Sequence, residues 1–366
     1  MYIPKIQLSN FRNFKDKLFE FSPKTTVVIG PNASGKTNLL ESIYLLATGK
    51  SVKASVIEEM VNYDEEIARV KGVIIEKEEG KPSGTNLEAV LTRGEITMGD
   101  DPERTEKVAK KRLLINGQGK RMIDFAGTFR AVIFGPWDME LVTESPSVRR
   151  RFLNDVLSQV DREYRRASLS YKKGLRQRNK LLYKIREEGF SRSQLAFWDK
   201  LLIKNGDYIS QRRGGFIEFV NHTEPLDHKD FEVEYDKSAI SEGRIAQYAR
   251  EEVAAATTLV GPHRDDFVFK VKDKDKKSSF RDLSKYGSRG EQRMGVLWIK
   301  LAELDYIKEE TGEKPTLLLD DIFSELDDRH REIVLEASRG QQTIITTADP
   351  HTIEQSEKLK QIALTS

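Results

Sequence analysis

The chain has 366 residues, about a third of them charged, with a formal net charge of +2. That length suits two domains, and so even a balance does not by itself point to a nucleic-acid partner. Cysteine is absent, which excludes disulfides, thiolate metal sites and cysteine nucleophiles, and the five histidines show no metal-ligand spacing.

Residues 3–9 alternate toward Leu8 and predict a strand, with no signal-peptide pattern ahead of it. No apolar run approaches the roughly 18 residues of a membrane span, so a cytoplasmic chain is expected. Thr26-Val27-Val28-Ile29 reads as a buried strand ending at Gly30, and Leu39, Leu40, Ile43, Leu46 and Ala47 then recur at helical spacing until Gly49. Ile67–Ile75, Leu87–Leu91, Ile96–Met98 and Leu113–Ile115 are β-rich and separated by turn formers, including Gly80-Lys81-Pro82 and Asn116-Gly117, which predicts an antiparallel sheet. Ala131–Phe134 is a further buried strand.

Composition then shifts. Arg149 to Arg213 hold eighteen Lys or Arg against seven Asp or Glu, and Leu153, Val156, Leu157, Val160 and Tyr164 mark one helical face. After Val260 the chain returns to alternating strands and helices: a strand at Phe267–Val271, a charged turn at Lys272–Lys277, helices at 289–310 and 328–338, and strands at Thr316–Leu319 and Thr343–Thr347. The expected organisation is a discontinuous α/β core over 1–140 and 250–366, carrying a basic, mostly helical insertion over 141–249.

Gly30-Pro31-Asn32-Ala33-Ser34-Gly35-Lys36-Thr37 fits G-x-x-x-x-G-K-[ST] in its required setting, after a strand and at a helix start. Its glycines let backbone N–H groups turn inward on phosphates, and the helix N-terminus adds positive charge. Lys36 would reach the β- and γ-phosphates of ATP, and the Thr37 hydroxyl would ligate Mg²⁺. Asp320 and Asp321 follow four apolar residues, which places Asp320 at the end of a buried strand beside that loop. Asp320 would hold Mg²⁺ with Thr37, directly or through water, and Asp321 would orient or deprotonate the attacking water.

Ser288-Arg289-Gly290-Glu291-Gln292-Arg293 and Ser324-Glu325-Leu326-Asp327 look like the signature and D-loop of ABC-type ATPases, in the order that superfamily requires. Within it the chain resembles the RecF family over essentially its full length. The resemblance is carried by Ile6–Phe14, by Asn38-Leu39-Leu40-Glu41 after the phosphate loop, by Phe134-Gly135-Pro136 leading to Ser145–Leu153, by Val260-Gly261-Pro262-His263-Arg264-Asp265-Asp266, and by Leu319–Asp327. SMC-like relatives share the opening but carry a long coiled coil, for which this chain has neither room nor heptads.

The resemblance implies an ABC-type α/β head, with a mixed P-loop sheet and an antiparallel β lobe, and an inserted helical domain. It implies that Arg12 and Asn38 join the nucleotide ligands. Ser288 and Gly290 would serve a second copy's nucleotide, so that ATP closes a homodimer and slow hydrolysis releases it. It implies double-stranded and gapped DNA as partner, and RecR and RecO as the proteins with which RecA is loaded in gap repair. A charge run is usually a solvated helical face; the resemblance instead assigns Arg165, Arg166, Lys172, Lys173, Arg176, Arg178 and Lys180 to DNA, with some of Arg149–Arg151 as the internal alternative. Four positions depart from the usual ABC pattern. Glu291 replaces a Gln, Thr347 stands where transporters have a His (so that Thr347 or Asp349 would take part instead), Asp138 is the candidate for a missing Gln, and Trp137 stands where an acid is expected. A transporter subunit would need that His and Gln, and a defence ATPase would carry a further nuclease domain.

Overall fold

The computed structural model describes residues 1–76, 84–98, 104–272, 279–324, 326–349 and 359–365. Two compact units divide the chain: Met1–Trp137 with Ile307–Ser366, and Asp138–Tyr306.

The first unit contains the elements with near-continuous apolar runs. Five of its strands form one parallel sheet in the order Ala131–Phe134, Thr316–Asp320, Thr343–Thr347, Thr25–Ile29, Lys360–Ala363. Strands buried on both faces read this way because neither face meets water. The Lys36–Thr48 helix packs on this sheet with Leu39, Leu40, Ile43, Leu45 and Leu46 fully buried. It ends where Gly49, at φ 68°, adopts the left-handed conformation that a C-terminal cap favours. A second, antiparallel sheet runs Phe14–Glu20, Tyr2–Phe11, Ile67–Ile75, Gly84–Thr92, Lys111–Ile115, Gln118–Lys120. It buries Ile6, Leu8, Val70 and Leu87 against the same helix while alternate residues face solvent. Asn116 and Gly117, both at positive φ, close its last hairpin. The turn expected at Gly80-Lys81-Pro82 and most of the one at Lys272–Lys277 lie outside the described residues. Buried Gln342 ties the sheets together: its amide accepts from Ile3 N–H at 2.9 Å and donates to the Ile3 and Ser22 carbonyls.

The second unit is dominated by three helices, Pro146–Val160, Arg162–Glu188 and Ala196–Asn221. The expected continuous face from Leu153 to Tyr164 is interrupted at Asp161, which leaves helical geometry and caps the next helix by accepting from Tyr164 N–H at 2.9 Å. A three-stranded antiparallel sheet, Phe231–Asp236, Asp266–Lys272, Phe280–Asp282, packs beside them. Its first strand falls within the region expected to be mostly helical, although Phe-Glu-Val-Glu-Tyr-Asp alternates visibly. The 260–266 segment is the knot of this unit. Asp265 accepts from Arg213 (2.9 Å) and Ser238 N–H (2.8 Å), and Asp266 takes Arg149 through both carboxylate oxygens at 2.6 and 2.9 Å. Arg149 is therefore internal, the second of the two readings left open for Arg149–Arg151.

Candidate functional site

In the first unit, the turn from the Thr25–Ile29 strand into the Lys36–Thr48 helix is built around two glycines. A side chain at Gly30 would meet the Ser34 hydroxyl at 2.6 Å, and one at Gly35 (φ 99°) would strike Asn13 and Phe14 at 2.7 Å. The N-terminal hairpin thus braces the loop from outside. Asn13 also donates to the Ser34 carbonyl (3.3 Å) and accepts from Asn38 (2.9 Å). Lys36 is buried, its ammonium folded onto the carbonyls of Gly30 (2.6 Å) and Pro31 (2.9 Å). The buried Ser34 hydroxyl has no partner among the described residues. A buried ammonium folded onto carbonyls and a hydroxyl in that position are polar groups that an incoming anion would satisfy.

The loop opens on a cavity of about 240 Å³ lined by Asn32, Ala33, Gly35, Lys36, Thr37, Asn38, Lys53, Asp320 and Asp321. Asp320 and Asp321 reach it from the end of the Thr316–Asp320 strand. As expected, this strand end lies beside the loop, although Thr343–Thr347 stands between the Thr316–Asp320 and Thr25–Ile29 strands. The intervening strand adds a contact the sequence did not suggest. Thr346 Oγ1 donates to Asp320 Oδ1 at 2.7 Å while Thr37 Oγ1 donates to Asp320 Oδ2 at 2.6 Å. Asp321 sits at φ 52°, its N–H turned back to Thr346. Partial burial and the adjacent Asp320 raise its carboxyl above the usual range, against the opposing pull of Lys36.

The donor set fits Mg²⁺: one hydroxyl and one carboxylate, with room for phosphate oxygens, suit a small hard cation better than an all-protein cage would. Among the described residues no cluster of three or more His, Asp or Glu forms another metal site.

Arg12, expected among the nucleotide ligands, does not line this cavity. Its guanidinium is committed to buried Glu41 (2.8 and 2.9 Å) and to the Glu59 carbonyl (2.7 Å). Thr347 is buried, and its hydroxyl is spent on a local turn with Asp349. Lys53 was missed because it arrives from a loop without a motif. Its ammonium lies 5.8 Å from the Trp137 ring centroid, which gives Trp137 a role as a cation-bearing wall.

In the second unit, Ser288 and Gly290 are exposed at the start of the Arg289–Thr311 helix, and a side chain at Gly290 would meet nothing within 4 Å. Glu291 is explained locally. Ser288 Oγ accepts from Glu291 N–H (3.2 Å) and Glu291 Oε2 accepts from Ser288 N–H (2.9 Å), a reciprocal cap that a shorter or neutral side chain would weaken. Asp138 is buried, facing the Lys300–Glu303 ion pair. Of the D-loop residues, Ser324 donates to the Asp321 carbonyl (2.7 Å) and Asp327 caps the Asp328–Ala337 helix, while Glu325 lies outside the described residues.

On the Arg162–Glu188 helix, Lys172, Lys173, Arg176 and Lys180 are exposed and make no ion pair among the described residues. At 3.6 residues per turn they share an arc of about 100°. Arg178 does not belong with them. It points to the opposite side, fully buried, where it meets Glu252 (2.7 Å), Asp199 (2.7 Å) and Thr258 (2.9 Å). Its assignment to DNA is therefore corrected. Arg165 donates to the Ser158 carbonyl and Arg166 pairs with Glu163.

Residues 2–366 match the family model described as the RecF/RecN/SMC N terminal domain. The chain is 34% identical to a DNA replication and repair protein RecF of Herpetosiphon aurantiacus, covering 95% of this chain and 94% of that protein. It is likewise 34% identical to the protein of that name from Bacillus thuringiensis, covering 99% of this chain and 95% of the relative. A solved structure described as the recombination mediator protein RecF with ATP in the RecFOR pathway superposes with a TM-score of 0.83 at 32% identity, covering 95% of this chain and 92% of that one. An SMC head bound to the C-terminal winged-helix domain of ScpA matches with a TM-score of 0.50 at 16% identity, over 97% and 91% of the two chains, a likeness of fold alone.

Proposed function

The chain belongs to the RecF family of DNA replication and repair proteins, and from that premise we propose that it is an ATP-switched clamp on DNA. The carrying observation is the Thr37–Asp320 contact at 2.6 Å beside Lys36, in a cavity of only about 240 Å³. Sites that enclose a ligand of nucleotide size by themselves are usually larger, roughly 300–1,000 Å³. A second surface that closed over this one would complete the enclosure. Exposed Ser288 and uncovered Gly290, at a helix N-terminus, have the chemistry to bind phosphate on a second copy's nucleotide.

In this reading Lys36 leaves the Gly30 and Pro31 carbonyls for the phosphates, and Gly30–Asn38 wraps them with backbone N–H groups. Thr37 and Asp320 would hold Mg²⁺, which supplies neutralising charge to the phosphates when bound. Asp321, its carboxyl raised, takes a proton from the attacking water more readily than an ordinary Asp would. Hydrolysis is slow and works as a timer. Closure of two copies brings two Lys172–Lys180 faces toward one duplex, with Arg165 and Arg166 at the margin. Contacts of that kind neutralise phosphates without reading sequence. Gapped DNA in the cytoplasm is the substrate, and RecR and RecO are the proteins with which the clamp directs RecA loading.

Sedimentation of Ser288→Arg protein tests the reading. Wild type should dimerise with ATP and not with ADP, and the variant should remain a monomer with either. A variant that still dimerises with ATP rules out completion of the site by a second copy.

A further inference from the structure

Residues 218–236 reverse the charge of the helix before them, with seven Asp or Glu against one lysine, Lys229. Within this stretch Phe231–Asp236 forms an outer strand of the three-stranded sheet, paired as a strand with Asp266–Lys272 alone among the described residues. Lys272 N–H donates to the Asp230 carbonyl at 3.0 Å, so by the antiparallel alternation Phe231 and Val233 turn their backbone groups to the open edge. At Val233 that edge is already used. The Asn221 side chain accepts from Val233 N–H (2.8 Å) and donates to its carbonyl (2.9 Å), imitating a neighbouring strand. Two residues back, Phe231 N–H and C=O have no such partner among the described residues.

Beside Phe231 lies a cavity of about 350 Å³, floored by Asp230, Phe231 and Glu232 and walled by Thr223, Phe280 and Trp298. Phe231 stacks on Trp298, whose indole N–H is buried and has no acceptor among the described residues. Phe280 is 39% exposed. Asp230 pairs with Lys272 and Glu234 with Lys270; Lys270 stands opposite Glu232 in the ladder and also feels its charge, but Glu232 makes no salt bridge among the described residues. The place therefore combines an open edge position at Phe231, an aromatic wall, an indole donor without an acceptor among the described residues and, in Glu232, a carboxylate without a salt bridge. An exposed edge of this kind is a template for strand addition, and the surrounding acids exclude DNA and favour cations.

We propose that this edge docks an extended, basic segment of a partner protein, which pairs with Phe231 and places a Lys or Arg between Glu232 and the aromatic wall. The test uses the full chain and a fluorescein-labelled peptide, acetyl-Lys-Val-Arg-Val-Lys-Val-amide, read by anisotropy. The matching Glu-for-cation peptide and an N-methylated version that cannot pair as a strand should each bind at least about tenfold more weakly. Glu232→Lys and Phe280→Ser, both at accessible positions, should each weaken the basic peptide by at least about tenfold. Lys36→Met, which disables the phosphate loop, should leave its affinity unchanged, so failure of the ATP-clamp reading would remain distinguishable. Equal binding of acidic and basic peptides, or undiminished binding by both edge variants, would overturn the proposal. So would concentration-dependent self-association that Glu232→Lys abolishes, because the occupant would then be a second copy of this chain.

Discussion

Arg178 offers the sharpest contrast between a surface and an interior role. Its guanidinium donates to Glu252 at 2.7 Å, to Asp199 at 2.7 Å and to Thr258 at 2.9 Å, and both Arg178 and Glu252 are fully buried. Replacing it with Met preserves much of the stem but leaves the buried Glu252 carboxylate with Leu259 N–H, at 2.9 Å, as its one remaining donor among the described residues. Removing one partner of a buried ion pair costs about 3–5 kcal/mol. For a cooperative unit of 150–250 residues each kcal/mol lowers Tm by about 2–4 °C, so a fall of roughly 6–20 °C is expected by calorimetry. Glu252→Leu made together with Arg178→Met removes both charges and should recover a substantial part of that loss. A Tm within about 2 °C of wild type, accompanied by weakened DNA binding, would refute the argument and return Arg178 to the DNA face.

Reversing Lys172, Lys173 and Arg176 to Glu should leave Tm nearly unchanged and weaken duplex binding. The slope of log affinity against log salt should fall by up to about 3, near 0.9 for each lost phosphate contact; an unchanged slope would mark a merely solvated face. His263 donates from Nε2 to the Thr258 carbonyl (3.0 Å) and accepts at Nδ1 from Tyr171 (2.9 Å), and burial pushes its pKa down to about 4. Because the folded value lies below the unfolded one, its contribution is complete above pH 6.5 and is lost as pH falls toward 4. That loss amounts to about 3 kcal/mol, so Tm against pH should flatten over this window in His263→Gln. Asp321→Asn should keep ATP-dependent dimerisation and lose phosphate release; retained turnover would remove Asp321 from the reaction.

The phosphate loop was legible because its chemistry is local. Gly30 to Thr37 shape their own backbone, and the apolar run into Asp320 announces a strand end. Glu291 could be understood only once its reciprocal cap with Ser288 was visible, although the spacing was already present in the sequence. The apolar residues from Leu153 to Tyr164 were read as one helical face but not as two helices, since Asp161 is a capping residue only if the chain turns there. Lys53, which lines the cavity, and Thr346, which holds Asp320 from behind, had no signal for those contacts, because each is placed by packing of segments distant in sequence.

By itself, then, the sequence determined the glycine-rich loop between strand and helix, the strand that ends in paired acids and the basic character of the Arg149–Arg213 region, since these follow from neighbours within a few residues. The tertiary structure decided which charges are available. Arg178 and Lys180 are two residues apart and chemically alike, yet one is buried against Glu252 and the other faces water. A turn of 100° per residue sets them on different sides of the same helix, and only the packing of that helix establishes which side is inside.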